Sequence, residues 1–231
     1  MVMNLVFDIG YNVGNFAHDI IQSYPHCKVI GVDANGSLLS NAPANVTFVN
    51  VLMSNIDNEL RPFYIETLQS GISTASREFM YDSRFGKGNR VVDASFNCWD
   101  KVDIVKTMTL DTLVKRFGRP DLIKIDVEGW EHKVLLGLTS KQSRICFEWS
   151  EEIFHVTEQC VRHLIRLGYR EFCVAGYFEE GDVFSKLEYD VNGDTYDRQP
   201  VKFHRWFDLQ QDIKRMLHPD RRMNMGMVFV R

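Results

Sequence analysis

The stretch L-V-F-D-I-G-Y-N-V-G-N-F, residues 5–16, decides the fold. An apolar run from Val2 to Phe7 ends in an acid, Asp8. A turn punctuated by Gly10, Asn12 and Gly14 follows, then a helical pattern carrying Phe16, Ile20 and Ile21. Such a strand–loop–helix unit brings backbone close to a ligand at a helix N-terminus. The acid bears on which ligand. A dinucleotide loop reads G-x-G-x-x-G, and here Asn12 and Asn15 occupy the second and third glycine positions. A carboxylate repels a pyrophosphate and attracts a sulfonium or ammonium cation. The loop therefore points to S-adenosylmethionine rather than NAD.

Outward from this unit, the same pattern of an apolar run ending at a carboxylate recurs. It is seen in Lys28–Asp33 (K-V-I-G-V-D), Asp121–Asp126 (D-L-I-K-I-D) and Arg144–Glu148 (R-I-C-F-E), with Val46–Val51 as a further apolar run. Ligands of open α/β sheets sit outside the carboxyl ends of the strands. Asp8, Asp33, Asp126 and Glu148 are therefore expected to line one crevice. Between the strands, helices are predicted at Asp111–Phe117, stopped by Gly118 and Pro120, and at Trp130–Leu138. A third begins at a Thr157 N-cap, with Val161, Leu164 and Ile165 inward and Gly168 as its stop. A fourth covers Trp206–Leu217, and the last strand is Gly226–Val230. The alternation predicts a doubly wound α/β sheet.

Two stretches break the rhythm. Residues 52–108 hold two β segments, Pro62–Glu66 and Val102–Met108, around a polar loop, Gln69 to Asn89. Residues 176–205 are rich in Asp, Gly and aromatics. Neither can bury a core of its own, so both read as additions around the crevice of one domain spanning 1–231. The early first strand fits a minimal enzyme or a module of a longer polypeptide.

The composition narrows the partners. A net charge of −4 over 231 residues gives no basic field for a nucleic-acid backbone, and the Lys214-Arg215 and Arg221-Arg222 patch is short. The five cysteines, 27, 98, 146, 160 and 173, include no C-x-x-C pair. They read as buried free thiols in a reducing compartment, and Cys160 with His163 lacks a second ligand pair for zinc. No apolar run reaches the ~18–20 residues of a membrane span. A cytoplasmic location is expected, with the sequons at Asn35 and Asn45 unused.

Asp33, at the end of the second strand and followed by Ala34, suits a ribose diol; capping a helix at Asn35–Ser40 is the alternative. In Lys124-Ile-Asp-Val-Glu-Gly-Trp-Glu131, Lys124 and Asp126 share a face of a central strand. A buried lysine needs a counter-charge, for which Glu148 or Asp8 is available; the pair could equally serve only to fix strand register. Glu128 and Glu131 fall in the first turn of a helix, where its dipole stabilises a carboxylate by ~0.3–1 kcal/mol.

These motifs together resemble the FkbM-type methyltransferases, a family of class I, S-adenosylmethionine-dependent O-methyltransferases. The resemblance is carried by D-I-G-Y-N-V-G-N-F, G-V-D-A-N, T-L-D-T-L, I-K-I-D-V-E-G-W-E-H-K-V-L-L-G and C-F-E. It covers about residues 4–175 and the last strand, and K-I-D-V-E-G-x-E is its most specific part. It implies a Rossmann-like, mostly parallel seven-stranded sheet with helices on both faces. It also implies methyl transfer to a hydroxyl, often on a sugar or glycan such as a deoxyhexose. By that likeness Asp8, Gly10, Asn12, Gly14, Phe16, Asp33 and Ala34 hold the cofactor. Asp126 lies beside the methyl group, and Glu148 near the acceptor. The family more often has an E-P pair where this chain has Asp33-Ala34.

A sugar hydroxyl needs a base within hydrogen-bond reach or a cation to lower its pKa. The base candidates are Asp126, Glu128, Glu148 and His155, the last also readable as a surface histidine. A divalent metal would need two or three of the carboxylates to converge, and a side-chain base is favoured over it. Asp190–Asp194 resembles a calcium loop superficially but lacks its spacing and its final Glu, and reads as a hairpin turn. Nearby aromatics, notably Tyr177, Phe178 and Trp206, suit the apolar face of a sugar or the packing of the insertion. Ser73, in the polar 69–89 loop, is a further acceptor candidate. Two other functions compete: methylation of a small-molecule or lipid hydroxyl, and a catalytically idle nucleotide- or cofactor-binding domain.

Overall fold

A computed structural model describes residues 3–41, 43, 45–86, 99–177, 179–180, 183–184, 195–196, 199–200 and 225–231, with backbone alone at 39–41 and 173–200. In chain order the first elements are β1 (Leu5–Ile9), α1 (Asn15–Ser23), β2 (Lys28–Asp33) and β3 (Val46–Asn50). An inserted unit follows, with β4 (Leu52–Met53), β5 (Leu60–Ile65), α2 (Arg77–Asp82) and β6 (Lys101–Met108). Then come α3 (Leu110–Phe117), β7 (Leu122–Ile125), α4 (Glu131–Leu135), β8 (Ile145–Ser150), α5 (Phe154–Arg166) and β9 (Phe172–Tyr177). Two short strand pairs, β10 (Glu179–Glu180) with β11 (Val183–Phe184) and β12 (Thr195–Tyr196) with β13 (Gln199–Pro200), precede β14 (Met225–Val230).

Seven strands form one sheet in the order β3-β2-β1-β7-β8-β14-β9. The contacts among β3, β2, β1, β7 and β8 are parallel, and β14 runs antiparallel to both β8 and β9. Strands of such a sheet are covered on both faces, which is why they read as apolar runs. Side chains alternate between the faces. Phe7, Ile9, Ile30, Val32, Ile123, Ile125 and Phe147 meet Leu110 and Leu113 of α3, Val134 and Leu135 of α4, and Val161 and Leu164 of α5. Val6, Val29, Leu122 and Cys146 meet Phe16, Ala17 and Ile20 of α1 on the other face. Each such fully buried aliphatic or aromatic side chain contributes about 1.5–3 kcal/mol. Cys27, Cys146 and Cys160 are buried free thiols, as expected.

The 52–108 insertion makes its own small sheet, β4-β6-β5, and β5 bridges on to Thr74 through Tyr64. Its apolar side, Leu52, Phe63 and Ile65, packs with Ala34 and Trp130 at the edge of the large sheet. Two helix boundaries differ from the sequence expectation. The third predicted helix, α5, begins at Phe154 and not after Thr157, which is 2% exposed inside it. Phe154 is drawn in by its edge-on contact with Trp149, ring centroids 6.4 Å apart, so the helix starts a turn early. The second predicted helix, α4, closes after Leu135, because Gly137 lies against the Ser54 carbonyl and Leu110 backbone and turns the chain away. The predicted Trp206–Leu217 helix lies outside the described residues. Among those described, no helix is long and apolar enough to cross a membrane.

Candidate active site

The strand order reverses at β1, where β2 lies on one side and β7 on the other. Ligands of open sheets bind at such a switch point, and here an open cleft lies there. Gly10, Asn12, Asp33, Ala34, Ser73, Asp126 and Glu128 line it, as do Leu52, Phe63, Ser70 and Trp130.

Asp33 ends β2 with both carboxylate oxygens anchored. The Asn12 N–H donates to Oδ2 and the Asn35 N–H to Oδ1, each at 2.8 Å. Burial raises its pKa, and those backbone donors oppose the rise. Each oxygen keeps a lone pair, so a diol in the cleft can still donate to it. The loop it steadies follows β1, with the Gly10 and Tyr11 N–H groups donating to the Val32 carbonyl at 2.9 and 3.1 Å. Gly10 adopts φ +78°, and a Cβ there would lie 1.7 Å from the Asp126 carbonyl oxygen. Only glycine allows this approach.

Asp126 follows β7, and its N–H donates to the Ile9 carbonyl at 3.0 Å. Glu128 and Gly129 then take left-handed backbone, φ 54° and 85°. Left-handed backbone at a non-glycine residue is strained and needs support from its surroundings. Thr74 Oγ1 donates to the Glu128 carbonyl at 2.6 Å, and Glu131 Oε1 accepts from the Val127 and Gly129 N–H groups at 3.1 and 3.2 Å. Glu131 is thus a structural brace, 3% exposed, and burial lifts its carboxyl to about 7.

Asp126, Glu128 and Glu148 bring one carboxylate oxygen each within 4.8 Å of one another. The convergence set as the requirement for a metal is therefore met by these three groups. Burial, then the neighbouring carboxylates, holds Glu128 and Glu148 well above the ordinary range. For Glu148 the neighbouring carboxylates are Glu128, Asp126 and Glu131, each acting to raise its pKa. Lys124 and Arg84 oppose the rise at Glu128. Arg84 is buried and forks onto Glu152, with two contacts of 2.6 Å.

Several expectations need correction. Asp8 does not face the cleft: it is fully buried and paired with Lys124, Nζ to Oδ1 3.2 Å. Burial, offset in part by Lys124, puts its pKa at about 6. Its place inside β1, rather than beyond the strand end, turns it into the α1-side layer. Phe16 packs in that same layer, and Gly14, the α1 N-cap, closes around the Tyr11 ring. Neither lines the cleft. Glu148 is 8% exposed and approaches Asp126 from the protein interior. His155 lies on the first turn of α5, half exposed, 3.0 Å from Glu78, and does not line the cleft. The Tyr177 side chain, Phe178 and Trp206 lie outside the described residues.

Of the wall formed by residues 70–75, the sequence announced only Ser73 in its polar loop. Ser70 Oγ bonds Asn12 Oδ1 at 2.6 Å, and Ser73 Oγ accepts from the Glu66 N–H at 3.2 Å. Trp130 and Phe63 were also missed; the only hint was apolar residues beside a polar motif.

A mostly parallel seven-stranded sheet with one antiparallel strand, and a cleft at the switch point, is the class I methyltransferase architecture. Residues 8–171 match the family described as the methyltransferase FkbM domain. The chain belongs to that family. A comparison with curated proteins returns no match. Among solved structures it is similar to a precorrin-6y C5,15-methyltransferase from Geobacter metallireducens GS-15, at 10% identity and TM-score 0.43, over 100% of this chain and 82% of that one. It is also similar to an FkbM methyltransferase from Methylobacillus flagellatus KT, at 12% identity and TM-score 0.46, over 87% of this chain. This chain covers 43% of that protein's length. A third is the plantazolicin methyltransferase BpumL in complex with a pentazolic desmethylPZN analogue and SAH, at 10% identity and TM-score 0.40, over 100% of this chain and 77% of that one.

Proposed function

We propose that the protein is an S-adenosylmethionine-dependent O-methyltransferase acting on a hydroxyl of a sugar or glycan. The observation that carries the reading is the pairing, in one cleft, of a diol-receiving carboxylate with a second carboxylate that has its own counter-charge. The first is Asp33. The second is Asp126, whose Oδ2 lies 3.4 Å from Lys124 Nζ. The glycine-shaped approach at Gly10, the polar Asn12 and the apolar Ala34 fit the rest of an adenosyl ligand. When bound, that cofactor supplies a methyl group on a cationic sulfur.

The chain's residues do the remainder. Asp126 would accept the proton of the acceptor hydroxyl. Glu148, whose carboxyl burial and neighbouring carboxylates hold well above the ordinary range, backs Asp126 from the interior, and Glu128 closes the same side of the cleft. Serines 70 and 73 offer hydroxyls to a polyol, which supports a sugar over an apolar acceptor. A second arrangement, a divalent cation held where the three carboxylates converge, has that convergence in its favour.

A methyl-transfer screen over monosaccharide glycosides, with and without EDTA, tests both. Turnover in EDTA that disappears in Asp126→Asn supports the side-chain base. Turnover abolished by EDTA and restored by magnesium supports the cation, and transfer only to lipid or aromatic hydroxyls rejects the sugar.

A further inference from the structure

Lys124 is the strut of this cleft. It is 5% exposed, on the central strand β7, and its Nζ donates to the Gly10 carbonyl at 2.8 Å. The same ammonium lies 3.2 Å from Asp8 Oδ1 and 3.4 Å from Asp126 Oδ2. It thus holds two segments 114 residues apart. Two backbone contacts complete the clasp: the Asp126 N–H on the Ile9 carbonyl, and Gly10 against the Asp126 carbonyl.

We propose that Lys124 is a positioning residue that keeps the loop after β1 and Asp126 in one frame, and that Asp8 serves Lys124 as counter-ion without receiving the cofactor's positive charge. The proposal rests on reading the cleft as an S-adenosylmethionine site. Asp8 is fully buried and lies outside the cleft wall. Its charge is met within the protein, because a buried ammonium and a buried carboxylate are each costly alone. Asp33, Asp126 and Glu128 are the acids that reach the cleft. Lys124 acts on the ligand only through the carbonyl and the carboxylate that it holds.

The cofactor's two forms separate the roles, since S-adenosylmethionine is a cation at sulfur and S-adenosylhomocysteine a neutral thioether. A strut holds geometry, so its loss weakens both ligands alike. A charge receptor favours the cation, so its loss weakens S-adenosylmethionine selectively. The experiment is calorimetric titration of both ligands into wild type, Lys124→Met and the Asp8→Asn/Lys124→Met double variant. The double variant leaves no stranded charge and carries the test if the single one does not fold. Calorimetry reports the binding-competent fraction separately from affinity, so partial unfolding is not mistaken for weak binding.

Both variants are expected to bind both ligands about tenfold more weakly, the order of one charge-assisted hydrogen bond, with the ratio of the two affinities unchanged. Wild-type affinity for both ligands in a folded variant overturns the strut. Selective loss of S-adenosylmethionine in the double variant restores Asp8 as the receptor and overturns the counter-ion assignment. Wild type that binds neither ligand is a distinct result: it removes the cofactor reading, and the proposal with it.

Discussion

Strands β1 and β7 lie side by side, and each brings an aspartate to the same edge of the sheet, yet the two acids do different work. Asp8 sits inside β1, opposite Lys124 in the strand register, and is fully buried. Asp126 sits one residue past the end of β7 and reaches the cleft. Both contact the same lysine. A shift of two residues relative to the strand end therefore separates an acid paired inside the sheet from one that lines the cleft. Inside a doubly covered sheet a carboxylate must find a cation; beyond the last paired residue it can face a ligand.

The hardest way to break this contrast is to force the two strand ends apart. Gly10→Ala places a Cβ in the Asp126 carbonyl at a left-handed backbone position. We expect it to cost more than about 4 kcal/mol in chemical denaturation; a loss below about 1 kcal/mol would show that the ends are not in rigid contact. Next in size is the lysine. Lys124→Met should cost about 3–5 kcal/mol, because it leaves the buried Asp8 without its cation, and Asp8→Asn should cost less, because Lys124 keeps Asp126. Together they should cost less than their sum, and additivity in that double-mutant cycle would uncouple them. Asp33→Ala sharpens the other side of the contrast, where an acid at a strand end lines the cleft. It should lose about 1.5–3 kcal/mol of S-adenosylhomocysteine affinity, and unchanged affinity would remove Asp33 from the site.

The smallest effect is in pH. Glu131 and Asp8 have folded pKa values raised to about 7 and about 6, chiefly by burial. The folded chain then binds more protons than the unfolded one across the interval between ordinary and raised values. The stability from these groups is full below the ordinary carboxyl range and is lost as pH rises through 6 to 7. The melting temperature should accordingly be higher at pH 5 than at pH 8. Glu131→Gln should flatten that fall, and an equally steep fall in the variant would assign it to other groups.

The sheet was legible because its strands are buried on both faces, so residues 29–32 read as a run without a charge and the run before Asp126 as one interrupted only by Lys124. The acids at their ends were legible as a set, but the direction of Asp8 was not. Direction depends on where pairing stops, and the sequence does not mark that within one residue. Thr157 has the chemistry of an N-cap, yet the contact between Phe154 and Trp149 outweighed it and drew the helix start forward. Beyond Ser73, the wall at residues 70–75 was invisible for another reason. Its anchors, Ser70 to Asn12 and Thr74 to Glu128, join positions 58 and 54 residues apart. No local pattern encodes such pairs.

The central claim is that the cleft between the ends of β1, β2 and β7 holds an adenosyl sulfur cofactor. Calorimetric titration of the wild-type chain with S-adenosylhomocysteine, and in parallel with NAD, tests it most directly. The account predicts one S-adenosylhomocysteine per chain and no heat of binding from NAD. Saturable binding of NAD, or no binding of S-adenosylhomocysteine by folded protein, would contradict it.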